Sequence, residues 1–215
     1  IGVIIHEVGH NFFPMIVNND ERQWAWMDEG INTFVQYLTE QKLGKDKPEI
    51  IYPLTDYPSR RGKAKDIVNY MSVDQNSLAP IMSNPENVFS LGPNAYGKPA
   101  TALNILRETI MGEELFDHAF KTYSKRWMFK HPTPEDFFRT MEDASAVDLD
   151  WFWRGWFYTT DYVDIGISDV KQYYVSSEPG AEMKKMMEER GIPRDKLRPL
   201  VYLEEFENDT ENLKE

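Results

Sequence analysis

Two histidines four residues apart with a glutamate beside the first, His6-Glu7-Val8-Gly9-His10, and a further glutamate, Glu29, nineteen residues on, restrict this chain to folds that bring two helices together at one point. Residues four apart share a helix face, so His6 and His10 present their imidazoles to one metal ion, with Glu7 beside the open coordination position. A third ligand must come from elsewhere. Glu29, within Trp26-Met27-Asp28-Glu29-Gly30, supplies it from a second helix packed on the first. Two neutral imidazoles and one carboxylate leave a zinc site net positive, which helps lower the pKa of a coordinated water toward about 7. With four histidines in 215 residues, this arrangement arises by accident in roughly fewer than one such chain in a hundred. The alternative makes the histidines core residues bonded to backbone carbonyls and Glu29 a first-turn residue favoured by the helix dipole. His118 and His131 have no ligand spacing around them and read as ordinary surface or boundary residues.

Hydrophobic residues at 41% and aromatics at 13% belong to a globular protein with a substantial core. Against 24 basic residues stand 36 acidic ones, a net charge of −12 that disfavours nucleic-acid or anionic-membrane partners. The absence of cysteine removes disulfides, thiol catalysis and Cys-zinc sites, and assigns no compartment. No segment reaches the roughly eighteen apolar residues of a membrane span. Ile1-Gly2-Val3-Ile4-Ile5 offers neither an initiator Met nor a helix cap, so the sequence reads as cropped at or before the first helix, with a signal peptide beyond assessment.

The first helix is expected to end near Pro14 and the second to run from Trp24 to Leu43, with Ile31, Phe34, Val35 and Leu38 as its apolar stripe and Gly44 as its terminator. Residues 45 to 63 read as an irregular crossing, followed by a short helix from Lys63 to Met71. The Pro- and Gly-rich stretch 79 to 97 is a candidate wall of the site. Helices then follow from Lys98 to Met111, from Glu113 to Phe129, and from Thr133-Pro134-Glu135-Asp136 to about Ala144. Asp148 is expected to cap another, whose aromatics Trp151 to Phe157 read as core packing. Beyond Asp161, Val170 to Val175 and Leu200 to Leu203 read as strands around a helix from Glu182 to Arg190, with a frayed acidic tail from Glu204.

His6-Glu7-x-x-His10, Glu29 in its Asp28-Glu29-Gly30 setting, and Tyr96-Gly97-Lys98 together resemble the aminopeptidase-N-type zinc metallopeptidases of the gluzincin clan. The resemblance extends through Pro134 to Phe157, covering roughly residues 1 to 162. It implies a mainly α fold: the multi-helix lobe of a thermolysin-like metallopeptidase catalytic domain over 1–162, with a small mixed extension over 163–215. It implies one Zn²⁺ held by His6, His10 and Glu29, with Glu7 as general base and Tyr96 steadying the tetrahedral intermediate. The implied partners are peptide substrates and the missing N-terminal part of the chain itself. A glutamate next to the metal can take a proton from the attacking water and pass it to the leaving amine. A phenol with a pKa near 10 stays protonated and donates to charge that appears only in the transition state. Asp28 and Thr33 are candidates to orient the ligands from behind.

Three departures from the family pattern bear on substrate preference. Pro99 stands where a glycine is usual, Asn11-Phe12-Phe13-Pro14 replaces a Trp- and Gly-containing stretch, and the amine-binding Gly-x-Met-Glu-Asn segment is absent. The chain alone is therefore expected to be a weak peptidase or an inactive one. A thermolysin-like endopeptidase is a competing reading, disfavoured because its third ligand falls one residue later, where this chain has Gly30. A non-catalytic binding module that retains the fold is another, disfavoured by retention of all five chemical groups.

Overall fold

The computed structural model describes residues 1–51, 61–162, 165–168, 173–176, 180–191, 193 and 202–205. It divides into two units, Ile1–Tyr162 and Val163–Glu215. The first is a helical lobe, mainly α as the sequence predicts.

Helix α1 spans Gly2–Gly9, with His10 as its C-cap and tight turns following through Ser-free, bulky sequence to Val17. It therefore stops short of the Pro14 boundary, because the His10 and Phe12 carbonyls are taken by Met15 and Val17 amides in turns rather than by a continuing helix. A π-helical turn, Trp26–Gly30, leads into α2, Ile31–Asp46. Ile31 and Phe34 are fully buried on α2, with Val35 and Leu38 packed against the core. Gly44 does not end this helix. It is buried inside it, and Lys47 forms the C-cap, its amide bonded to the Leu43 carbonyl.

Where an irregular crossing was expected, α3 (Pro48–Ile51) forms; residues 52–60 lie outside the described set. A 3₁₀ turn, Ala64–Asp66, precedes α4, Ile67–Met71. After the Pro- and Gly-rich stretch, a second π turn, Pro93–Gly97, runs straight into α5, Lys98–Ile105, and a third, Leu106–Ile110, continues it. Arg107 of that third turn forks onto both oxygens of Asp117, at 2.7 and 3.2 Å, and so ties it to α6, Glu113–Arg126. Helix α7, Pro134–Ser145, opens on the capping box the sequence predicts: Thr133 accepts from the Asp136 amide, and Asp136 accepts from the Thr133 amide. Such reciprocal caps satisfy two amides that the first turn would otherwise leave unbonded. Helix α8, Asp150–Trp153, runs into a fourth π turn, Arg154–Tyr158. Asp148 accepts from the Asp150 amide, and Glu142 reaches over from α7 to accept from Leu149.

The core lies where α6, α7 and α8 meet the Trp26 turn. Trp26 stacks on Phe138 with ring centres 5.8 Å apart and meets Phe157 edge-on at 4.8 Å. Phe152, Trp153 and Phe157 are buried as expected, whereas Trp151 faces solvent. The turn that carries Asp28 and Glu29 is thus anchored by the largest buried aromatic in the lobe.

In the second unit, strands β1 (Tyr173–Ser176) and β2 (Tyr202–Glu205) pair antiparallel, Tyr173 opposite Glu205 and Ser176 opposite Tyr202. Helix α9, Ala181–Arg190, lies between them in sequence. Glu204 and Glu205, expected to begin a frayed tail, are instead paired in β2; the remainder of the predicted strands and of the tail falls outside the described residues.

Candidate metal centre and its cleft

The structure brings His6, His10 and Glu29 together, each with one ligand atom within 4.8 Å of the others. The Nε2 atoms of His6 and His10 lie 3.0 and 3.4 Å from Glu29 Oε2. Tetrahedral ligands at zinc bond lengths stand about 3.3 Å apart, so both spacings fit that ion.

The other ring nitrogens are spoken for. His6 Nδ1 donates to Gln36 Oε1 at 3.0 Å, and His10 Nδ1 donates to the Phe13 carbonyl at 2.9 Å. Each bond fixes a tautomer that leaves the Nε2 lone pair for a metal ion shared with the Glu29 carboxylate. Asp28 Oδ1 is 3.0 Å from the same His10 nitrogen, but the single N–H there points to the Phe13 carbonyl. The Asp28 oxygen is left without a hydrogen bond, and its carboxyl pKa is raised to about 7 by burial first and by the Glu29 charge next. Thr33 is fully buried, and its hydroxyl makes no hydrogen bond among the described residues. Gln36 stands behind His6 instead. It lies seven residues after Glu29, two helical turns on, a spacing that makes it a neighbour of the ligand face.

Glycine at position 9 is what lets α1 settle on α2. A Cβ there would collide with the side-chain oxygen of Asn32, and Asn32, 1% exposed, donates at 2.8 Å to the carbonyl of His6 itself. The metal-bearing helix is therefore fixed through the backbone of its first ligand.

Glu29 and Tyr96 both ride on π turns, and those turns pack on each other. An extra residue in a helical turn redirects the side chains that follow, and π turns recur at functional sites for that reason. Gly30 sits at the crossing. A Cβ on it would lie 2.5 Å from Pro99 Cγ and 2.8 Å from the Ala95 carbonyl oxygen, neither of which is a flexible side-chain end. Gly30→Ala is thus expected to push the two turns apart, lowering stability by about 1–3 kcal/mol and weakening zinc retention in the same protein. Thermal unfolding with and without added zinc checks this. An alanine variant that binds zinc and melts like the parent would show that the crossing tolerates movement.

Tyr96 lies against this centre. Its ring stacks on that of His6, centres 5.8 Å apart, and the Arg61 guanidinium covers it at 4.9 Å. Burial, followed by the hydrogen bond to Glu29 and the charge of that carboxylate, holds the phenol above its ordinary pKa. Glu7 projects from α1 into solvent and makes no hydrogen bond or ion pair among the described residues. Beside Asp28, Glu29 and Tyr96 opens a cleft of about 360 Å³, also lined by Glu21, Arg22, Pro85, Glu86 and Leu91. The wall residues from the 79–97 stretch were flagged by its composition, whereas Glu21 and Arg22 carry no local signal. His118 and His131 are exposed, and His131 bonds Asn18. In a further acidic group, Glu142, Asp148 and Asp150, the Glu142 and Asp148 carboxylates are occupied in capping α8.

Residues 1–156 match the peptidase family M1 domain. The glutamyl aminopeptidase of Sus scrofa is 23% identical over 170 residues, 79% of this chain and 17% of that protein. Leucine aminopeptidase 2 of Aspergillus fumigatus is 27% identical over 236 residues, 96% of this chain and 35% of that protein. A variant of the M1 zinc metallopeptidase from Deinococcus radiodurans, bound to a Tyr-Ser-Ala substrate, shares the fold with a TM-score of 0.55 at 20% identity, over 73% of this chain and 32% of that one. The chain spans 17% of the length of the first of these relatives and 35% of the second.

Proposed function

This chain belongs to peptidase family M1, and on that footing we propose that it carries the metal-binding and catalytic helices of a zinc aminopeptidase that removes residues from peptide N-termini. The observation that carries the proposal is the convergence of His6 Nε2, His10 Nε2 and Glu29 Oε2, each histidine fixed from behind by its other nitrogen. In this reading those three residues hold one zinc ion, which when bound acidifies a water and polarises the scissile carbonyl. Glu7, one residue beyond a ligand and free of partners among the described residues, takes the proton of the attacking water and delivers it to the leaving amine. Tyr96 donates from its phenol to the oxyanion that develops on the substrate carbonyl. Gln36 and the Phe13 carbonyl hold the imidazoles in register. The cleft beyond Tyr96 takes part of the peptide.

On its own the segment is expected to turn over slowly, because the outer face of α1 lies open to water. Val3 is 73% exposed, Ile4 66% and Val8 62%, and charge interactions at a wet site are weaker than in a closed one.

The test has two arms. Metal analysis of the purified chain should find up to one zinc per molecule, with His6→Ala and Glu29→Ala each reducing it. Unchanged metal content in both variants would contradict the ligand assignment. The intact polypeptide that carries this chain should cleave an aminoacyl chromogenic substrate with a free amine much faster than its acetylated form. Equal rates would favour an endopeptidase instead.

A further inference from the structure

Lys98 is a buried lysine on α5. It is 6% exposed, and no carboxylate pairs with it among the described residues. Its ammonium donates to the Thr159 carbonyl at 3.2 Å and sits 5.0 Å from the centre of the Tyr70 ring. Burial pulls its pKa down to about 8. A buried cation with no counter-ion is costly, and an apolar side chain of the same length would fill the space without that cost. Packing alone therefore does not account for a lysine here.

The position of its partners does. Thr159 follows the π turn Arg154–Tyr158 with extended backbone, so its carbonyl stands off the helical ladder and accepts from the ammonium instead. The Tyr70 face adds a second attraction for positive charge. Lys98 is also the first residue after Gly97, the end of the turn that bears Tyr96. The near side of that turn is tied by Asn94, which donates to the Pro80 carbonyl at 3.2 Å, and Met82 in turn donates to Phe157 at 3.1 Å. Both flanks of Tyr96 thus lead back to the same closing turn, one through backbone and amide bonds and the other through the Lys98 ammonium.

We propose that Lys98 is a positioning residue for the reaction: by gripping the Thr159 carbonyl against the Tyr70 ring, it fixes the far end of the Tyr96 turn and aims the phenol at the reacting carbonyl. This rests on the role assigned to Tyr96 above. Lys98 touches no substrate and acts only through its neighbour.

The experiment is a double-mutant cycle in the intact polypeptide, with Lys98→Met, Tyr96→Phe and the pair. Lys98→Met keeps the length of the stem and removes the charge. Its kcat is expected to fall roughly tenfold to a hundredfold, as for a small misplacement of a reacting group, with KM and zinc content little changed. The double variant is expected to be no slower than Tyr96→Phe alone, because once the phenol is gone nothing remains to be aimed. A purely structural lysine would instead give losses that multiply, and that result overturns the proposal, as does a parental kcat for Lys98→Met. If Lys98→Met does not fold, Tyr70→Leu removes only the ring face and is read by the same cycle, with a smaller loss expected and the same absence of a further loss on Tyr96→Phe. An unaltered kcat in Tyr96→Phe itself overturns the role of the tyrosine and the inference with it, a pattern distinct from a tyrosine that matters and a lysine that does not.

Discussion

Glu7→Gln is expected to retain zinc and lose turnover by roughly 10²–10⁴-fold, the usual contribution of a positioned general base. Glutamine matches glutamate in shape, and the side chain it replaces is exposed and makes no hydrogen bond or ion pair among the described residues. Neither α1 nor the lobe should therefore lose stability. The ligands His6, His10 and Glu29 are untouched, so metal content should stay at the parental level. What changes is one property, because an amide does not accept a proton from the attacking water. KM should move little while kcat falls, since the proton moves only as the transition state forms. Metal analysis beside kcat and KM on a free-amine substrate separates these quantities. A variant that kept zinc and turned over within about threefold of the parent would move the base to another residue.

Tyr96→Phe comes second in size, with an expected loss of roughly 10²–10³-fold in kcat, as for removal of one oxyanion donor. Phenylalanine keeps the ring that stacks on His6 and lies under Arg61, so the substitution deletes the hydroxyl and little else. Burial and the Glu29 carboxylate both favour the neutral phenol. Because its pKa is raised, the donor form persists until pH climbs above the ordinary tyrosine range. The hydroxyl should therefore contribute equally across neutral and mildly alkaline pH. The Tyr96→Phe pH–rate profile is expected to lie lower than the parent and to keep its shape there. An unchanged kcat/KM would remove the tyrosine from the mechanism, and a changed alkaline limb would mean that the phenol titrates in the working range.

What the sequence by itself determined is the chemistry that depends on short spacing. His6 and His10 share a face because a helix repeats every 3.6 residues. The Thr133-Pro134-Asp136 start of α7 is equally local, since both partners of the capping box lie within one turn. The aromatic run ending at Phe157 was readable as core because so much apolar area has nowhere else to go. Tertiary structure decided what depends on how one turn sits against another. No local pattern announces that Glu29 and Tyr96 stand on π turns, since an i to i+5 turn is imposed by what packs against it: here Trp26 in the aromatic core, and Gly30 wedged between Pro99 and Ala95. Thr33 was a candidate to orient the ligands from behind, whereas in the folded chain Gln36 bonds His6 and the Thr33 hydroxyl makes no hydrogen bond among the described residues. Gly44 looked like a stop and proved to be a buried helix residue, because a glycine's local preference yields to the space its neighbours leave. Asn32 on the His6 carbonyl, Lys98 on that of Thr159, and Glu21 with Glu86 in the lining of one cleft join residues 26, 61 and 65 positions apart, and only the packed fold brings them together.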